Sequence, residues 1–359
     1  MRPGRSPGYL TQMRTIAVAA VLVAISAAVP SSTGSAASRP VTLTVMTRNL
    51  YLGANLDPIV KATSIPAALK AVEADWALVQ ANDFPLRARG IAGEIAAVRP
   101  DIVGFQEAVL YRTQTPSDFL TTPATTVALD YVSELKRALA ARRLRYRFVG
   151  IAPATDAELP SGFPPTMDIR ITVRDALLVR VDPKLKIRRV RKGLYATTTP
   201  LFGGLVTAKR GWVLADATFH GRRFRAVTTH LESFSDTSQV AQGQELADGP
   251  TRTSLPVVLM GDLNSRADGT GTPTYRNLLD AGFEDAWTQA RPRDVGLSCC
   301  HGDDLREVGG DFYSRIDYVL TRNGPRGIAA GIVGRDLRDR FSGLWPSDHA
   351  GVWVTLRLK

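Results

Sequence analysis

The chain has 359 residues, a formal net charge of +11 and two cysteines. So few cysteines exclude a disulfide scaffold, and stability must come from a buried core. The basic balance points to anionic partners such as nucleic acid, anionic lipid or phosphorylated metabolites, without choosing among them.

Arg2, Arg5 and Arg14 precede an apolar run from Ile16 to Val29, and Gly34, Ser35, Ala36 and Ala37 follow. This basic, apolar, small order predicts a secretory signal peptide over 1–37, with a run too short for a comfortable membrane span. The expectation is an exported protein whose remaining residues, 38–359, form one large domain. In chain order, 41–50 read as a strand. Residues 64–81 and 86–98 have helical spacing, the second stopped by Arg99-Pro100. Residues 102–105 form a buried strand that runs into Gln106-Glu107. A helix over 129–142 precedes strands at 146–150 and 175–181. A hairpin over 213–229 turns at His220-Gly221-Arg222. A polar helix at 235–247, a strand at 257–260, a helix at 273–281 and strands at 316–320 and 352–358 complete the chain. Loops fall near 113–126, 152–166, 196–211 and 291–312, where Pro, Gly and Ser collect. Strands and helices are mixed throughout, which predicts an α/β domain of two packed sheets with helices outside.

Several strands end in residues able to bind ligands. Val257-Val258-Leu259-Met260 runs through Gly261 into Asp262-Leu263-Asn264. In an extended chain, positions two apart share a side, so Asp262 and Asn264 are expected to address one point. The strand at 41–50 ends near Asn49, and 102–105 ends near Glu107. The hairpin ends at His230, Asp317 opens the strand at 316–320, and Asp348-His349 precedes the last strand. Singly, each reads equally well as a turn, a cap, a surface ion pair or a core histidine. Together they are a set that chance turns do not supply.

Carboxylates such as Glu107 suit a hard divalent cation, typically Mg²⁺, held by oxygen atoms. A histidine beside a carboxylate, as in Asp348-His349, suits proton transfer. Asn and His side chains can hydrogen-bond phosphoryl oxygens. The set therefore predicts hydrolysis of a phosphate ester. Other chemistries lack their signatures. Ser347-Asp348-His349 cannot stack into a relay, and no Gly-x-Ser-x-Gly elbow, Walker loop, dinucleotide fingerprint or His-Glu-x-x-His occurs. Cys299-Cys300-His301 is too compact to surround a zinc ion. That pair either closes on itself or remains as free thiols.

Six segments carry a resemblance: TRNLYLG at 47–53, DIVGFQEA at 101–108, TTHLES at 228–233, VVLMGDLNS at 257–265, SRIDYVL at 314–320 and SDH at 347–349. In this order the chain resembles the endonuclease/exonuclease/phosphatase superfamily, which includes deoxyribonuclease I-like nucleases, abasic-site endonucleases, inositol polyphosphate phosphatases and bacterial sphingomyelinases. The resemblance implies a four-layer α/β sandwich, two mixed β-sheets packed face to face with helices outside, and a site at one edge of the sheets. It implies Glu107 as the main metal ligand, Asn49 as a phosphate or metal-water contact, and Asp348 as a second acid on the metal side. Asp262 and Asn264 would orient or activate water and contact the phosphate. His230 would stabilise phosphoryl oxygens or protonate the leaving group. His349, oriented by Asp317, would serve as base or phosphate contact. The implied ion is Mg²⁺, with Mn²⁺ or Ca²⁺ as alternatives.

Abasic-site endonucleases carry an acid two residues after the Asn, and here that place is Tyr51. This departs from the repair enzymes and resembles more the secreted sphingomyelinase and nuclease branches. The expected function is a secreted Mg²⁺-dependent phosphodiesterase acting on nucleic acid or a phospholipid headgroup, with no obligate protein partner. The alternatives are a phosphatase of small phosphorylated metabolites and a non-catalytic binding protein on the same scaffold. Two tracts carry open readings. In 197–212, Leu201 and Phe202 either touch a membrane peripherally or pack on the domain, and IRRVRK at 187–192 either follows a phosphate backbone or is a solvated strand face.

Overall fold

A computed structural model describes residues 40–309 and 312–358; the signal-peptide expectation over 1–37 lies outside them. The strands are Val41–Asn49 (β1), Ile102–Gln106 (β2), Leu110–Gln114 (β3), Thr126–Asp130 (β4), Tyr146–Ser161 (β5), Met167–Arg180 (β6), Leu185–Leu194 (β7), Thr199–Leu201 (β8) and Val206–Ala208 (β9). They continue with Gly211–Phe219 (β10), Arg222–His230 (β11), Val257–Asp262 (β12), Glu284–Asp285 (β13), Asp317–Arg322 (β14), Arg326–Val333 (β15) and Gly351–Leu358 (β16). The helices are Asp57–Val60 (α1), Ile65–Ala81 (α2), Phe84–Val98 (α3), Tyr131–Ala141 (α4), Asp236–Asp248 (α5), Thr274–Asp280 (α6) and Ala286–Ala290 (α7).

Two large mixed sheets form the centre. The first has eight strands in the order β15-β16-β1-β2-β6-β3-β4, with β5 added on β6. The second has six, in the order β13-β14-β12-β11-β10-β7. Each sheet contains a parallel pair amid antiparallel neighbours: β1 with β2, and β11 with β12. These two pairs face one another across the sandwich, β1 against β12 and β2 against β11. Parallel strands share a direction, so the carboxyl ends of all four strands emerge at one edge.

Side-chain alternation builds the layers. In β12, Val258 and Met260 point between the sheets, whereas Val257 and Leu259 point to a second core under α5 and α6. In β1, Leu43 and Val45 face the other sheet, and Met46 joins the core that α2, α3 and α4 cover. A strand buried on both faces reads as a continuous apolar run, which is why 257–260 is legible as one. The result is the four-layer sandwich expected.

The sheets approach closely at Gly104. A Cβ there would stand 2.6 Å from Thr228 Oγ1 and 3.1 Å from Met260 Cβ. Beside it the sheets are joined by polar groups: Thr47 Oγ1 donates to Gln106 Oε1 at 3.1 Å, and Gln106 Nε2 donates to Thr228 Oγ1 at 2.9 Å.

Some elements differ from the sequence expectation. The loop expected at 152–166 is mostly strand, because β5 and β6 form a long hairpin turning only at 162–166. Pro153 and Pro160 suggest a loop, but β5 is hydrogen-bonded on one side alone, where a missing N–H is tolerated. Within the loop expected at 196–211, β8 and β9 form a small hairpin. The basic tract 187–192 lies in β7, an edge strand with a largely exposed face.

Candidate active site

The edge where the two parallel pairs end gathers every residue singled out from the sequence. Asn49 and Asp262 are the last residues of β1 and β12. Glu107 follows β2 directly, and His230 closes β11 beside Asp262. Asp317 opens β14 and pairs across from Asp262. Asp348 and His349 lie just ahead of β16.

Backbone turns, rather than extended strand, aim these groups. Asp262 Oδ1 accepts the Asn264 N–H at 2.9 Å, and Asn49 Oδ1 accepts the Tyr51 N–H at 2.9 Å. The same Asx turn therefore ends the central strand of each sheet. Asn264, Tyr51 and Glu107 all adopt left-handed conformations, with φ of 50°, 54° and 54°. Non-glycine residues at positive φ are uncommon and concentrate where function holds them. The expectation that Asp262 and Asn264 share a side because the chain is extended is thus corrected: the chain turns back, and the turn brings them together.

Asp262 stands at the centre. Its Oδ2 accepts from Asn49 Nδ2 at 3.1 Å and lies 3.7 Å from His230 Nε2 and 3.8 Å from His349 Nε2. Asn49 Nδ2 also reaches Glu107 Oε1 at 3.3 Å, and the Leu52 N–H donates to Glu107 Oε2 at 2.6 Å. Asn264 Nδ2 reaches His230 Nε2 at 3.1 Å and donates to Leu231 O at 3.0 Å. His349 Nδ1 is 2.9 Å from Asp317 Oδ2, which also accepts from Ser298 Oγ at 2.7 Å. Asp262, Asp317 and His349 are buried, whereas Glu107, Asn264 and Asp348 are only partly covered, and Glu107 and Asp348 line a cavity.

The charges follow from this packing. Burial, reinforced by the negative charge of Asp317, pushes the Asp262 carboxyl up to about 7. Burial likewise lifts Asp348 to about 6, with Glu107 adding to the rise against the pull of His349. For His349 burial acts downward, but Asp317, Asp348 and Asp262 outweigh it and hold the imidazole well above its usual value. His230 goes the other way: burial first, then the Arg210 guanidinium, hold it well below the ordinary histidine range. One histidine is therefore charged near neutrality and the other is not.

Glu107 and Asp348 line one cavity at the sheet edge, and the negative charge of Glu107 raises the Asp348 carboxyl. That donor set fits a hard divalent cation. Asp262, Asp317 and His349 also bring ligand atoms within 4.8 Å of one another. There His349 Nδ1 is already hydrogen-bonded to Asp317, which marks an oriented acid–base pair.

Residues that sequence reasoning did not single out complete the site. Arg210, nearly buried, lies 2.9 Å from His230 Nδ1 and donates to Glu232 Oε1 at 3.3 Å. Asp175 in β6 is buried, leaves Oδ1 without a hydrogen bond and is influenced most, after burial, by Arg210. Arg87 donates to Leu50 O at 2.7 Å and Pro346 O at 3.1 Å, clamping the turn after β1 to the segment that carries Asp348. Arg48 pairs with Glu94 at 2.8 Å and also donates to the His349 carbonyl. Glu232 lies within the quoted TTHLES, but Arg210 and Asp175 occupy tracts without any motif signal. Cys299 and Cys300 are joined to each other, and His301 stacks on Trp345 with ring centroids 3.9 Å apart.

The model of the Endonuclease/Exonuclease/phosphatase family matches residues 72–349. The chain belongs to that family. An endonuclease/exonuclease/phosphatase family protein from Bacteroides thetaiotaomicron superposes with a TM-score of 0.58 at 18% identity, covering 89% of this chain and 95% of that one. A mannosyl-6-phosphatase from the same species gives 0.55 at 17% identity, covering 88% and 99%. D. rerio TDP2 complexed with a single-strand DNA product gives 0.54 at 17% identity, covering 88% and 98%. At these identities the likeness shows the endonuclease/exonuclease/phosphatase fold. Among curated proteins, none matches the chain significantly.

Proposed function

We propose that the protein is an exported, Mg²⁺-dependent phosphodiesterase. The family supports phosphoric ester hydrolysis, and one observation carries the finer reading: Asp262 has Asn49, His230 and His349 within 3.8 Å of its Oδ2. A carboxylate so placed, surrounded by donors, is an arrangement for taking a proton from water beside a phosphoryl group.

Glu107 and Asp348 would hold the cation, with Asn49 and the Leu52 N–H fixing the Glu107 carboxylate. When bound, the ion supplies charge neutralisation on the phosphoryl oxygens and a template for the ester. Asp262, pushed up to about 7, is the base, because its carboxylate is present near neutrality and still accepts a proton readily. His349, held charged by Asp317, donates to a phosphoryl oxygen. Neutral His230, whose Nδ1 accepts from Arg210, fits a second hydrogen bond from its Nε2–H to the phosphoryl group rather than protonation of the leaving alcohol. Export rests on the order of residues in 1–37.

The test compares bis(p-nitrophenyl) phosphate with p-nitrophenyl phosphate in the presence of Mg²⁺. The proposal expects the diester to be the better substrate by kcat/KM. Turnover of the monoester alone would replace it with a phosphatase of small metabolites.

A further inference from the structure

A cavity of about 400 Å³ adjoins the active site. Its lining includes Glu107, Arg210 and Asp348, groups of the site itself. It also includes an apolar wall: Trp76 of α2, Tyr111 of β3, Ile171 of β6 and Phe202 after β8. The Trp76 and Tyr111 rings stand 5.4 Å apart, tilted by 57°. The Tyr111 hydroxyl is spent on Leu52 O at 3.1 Å, so the residue offers its ring. Trp76, Ile171 and Phe202 pack on the core yet remain partly open to the cavity. A concave apolar wall of this size is the usual form of a small-molecule site, for which volumes of roughly 300–1,000 Å³ are common. Left to water, those faces would carry an unfavourable hydration that an apolar ligand relieves.

Charge narrows the occupant. Among the described residues lining the cavity, Arg210 is the one arginine or lysine, and it lies against His230 of the site. Asp57, Asp75 and Asp303 also line it, and Asp75 Oδ2 is buried without a hydrogen-bond partner. A nucleic acid strand laid along this path would bring its next phosphates against those acids, which is the reverse of the basic track such a strand needs. An apolar body that is neutral or cationic meets no such penalty.

Building on the phosphodiesterase reading, we propose that the cavity receives the apolar alcohol group of the substrate, which is a phosphodiester with a single phosphate and a hydrophobic, non-anionic body. Such an ester is either a bilayer lipid or a soluble alkyl or aryl phosphodiester, and both present the same chemistry to the wall.

The experiment measures kcat/KM for methyl, butyl and octyl p-nitrophenyl phosphate with the Mg²⁺-loaded protein, keeping each ester below its micelle concentration. Burial of added methylenes in the cavity gives an increase of roughly tenfold or more from methyl to octyl. Ala157→Trp, which adds bulk to the lining, and Trp76→Ser, which removes an aromatic wall, each reduce the octyl-to-methyl ratio. Repeating the octyl ester in phosphatidylcholine vesicles separates the sources: a chain-length gain confined to vesicles assigns a bilayer lipid, and a gain in free solution assigns a soluble ester. Equal turnover of methyl and octyl esters both in free solution and in vesicles, or faster turnover of a single-stranded oligonucleotide, overturns the cavity assignment while leaving the phosphodiesterase reading intact. Failure to hydrolyse any of the esters overturns that reading, and this proposal with it.

Discussion

His349 Nδ1 and Asp317 Oδ2 lie 2.9 Å apart and join the two sheets at the edge where the active site forms. Asp317 begins β14 of the second sheet, and His349 precedes β16 of the first. The bond orients the ring, and the Asp317 carboxylate is the largest influence holding the imidazole up against burial. Asp317→Asn keeps the shape and removes the charge. The expected loss in kcat is roughly 10²–10⁴-fold, the scale of positioned acid–base groups. Because the two residues act as a unit, His349→Gln added to Asp317→Asn costs little more than either alone. Steady-state kinetics of the double-mutant cycle check this; multiplicative losses would show that the two act independently.

Glu107 is expected to govern metal affinity. Its carboxylate is fixed by Asn49 and the Leu52 N–H, so Glu107→Gln leaves the local fold in place while removing a charge. The Mg²⁺ concentration for half-maximal activity should rise by at least the ~10–100-fold that loss of a supporting group costs a metal site. A metal titration at fixed substrate reads this, with circular dichroism to confirm folding. An unchanged titration midpoint would remove Glu107 from the metal site.

Much of this was legible in the sequence because the signal is local. Val257 to Met260 is apolar at every position, and a polar residue follows at once, so both the buried strand and its functional end are visible. The same holds for Ile102 to Phe105 followed by Glu107. What the sequence hid depends on tertiary packing. Arg210 stands in a loop beside Lys209 and looks like surface charge until the fold buries it against His230 and Glu232. Asp175 follows Arg174 in sequence and looks like half of a charged pair, and only the packed sheet reveals an acid buried near the site. The long β5–β6 hairpin was obscured by Pro153, Pro160 and polar side chains, all tolerable on an edge strand.

The close approach of the sheets makes Gly104 intolerant of a side chain. A Cβ meets Thr228 Oγ1 at 2.6 Å, and Thr228 also accepts the bond from Gln106. Gly104→Val is expected to destabilise the protein by ~1–3 kcal/mol, the cost of overpacking a dense core. Chemical denaturation measures the change; stability equal to wild type would mean that the sheets yield at this point.

Asp75 offers a test through pH. Burial, followed by the negative charge of Asp303, raises its folded-state carboxyl from 3.8 to about 7. A carboxyl raised on folding favours the protonated folded state, so ionisation costs stability. The cost is absent below the unfolded value, grows as pH rises through the window, and is complete above the folded value. Asp75→Asn should therefore be more stable than wild type at pH 8 and equal to it near pH 4. The side chain is only partly covered, and solvent screening limits the gap to ~1 kcal/mol. Thermal melts of both proteins across this range report it; a gap that widens toward acid would reverse the sign and refute the assignment.

The central claim is that Asp262, set among Asn49, His230 and His349, removes the proton from water in a cation-dependent hydrolysis. The most direct measurement is the rate of bis(p-nitrophenyl) phosphate hydrolysis by wild type and Asp262→Asn, each stripped of metal and then given Mg²⁺. The account predicts that wild type is silent without metal and regains activity with it, and that Asp262→Asn with Mg²⁺ stays at least ~10²-fold slower than wild type. Full activity in the variant, or undiminished activity in the metal-free wild type, would contradict it.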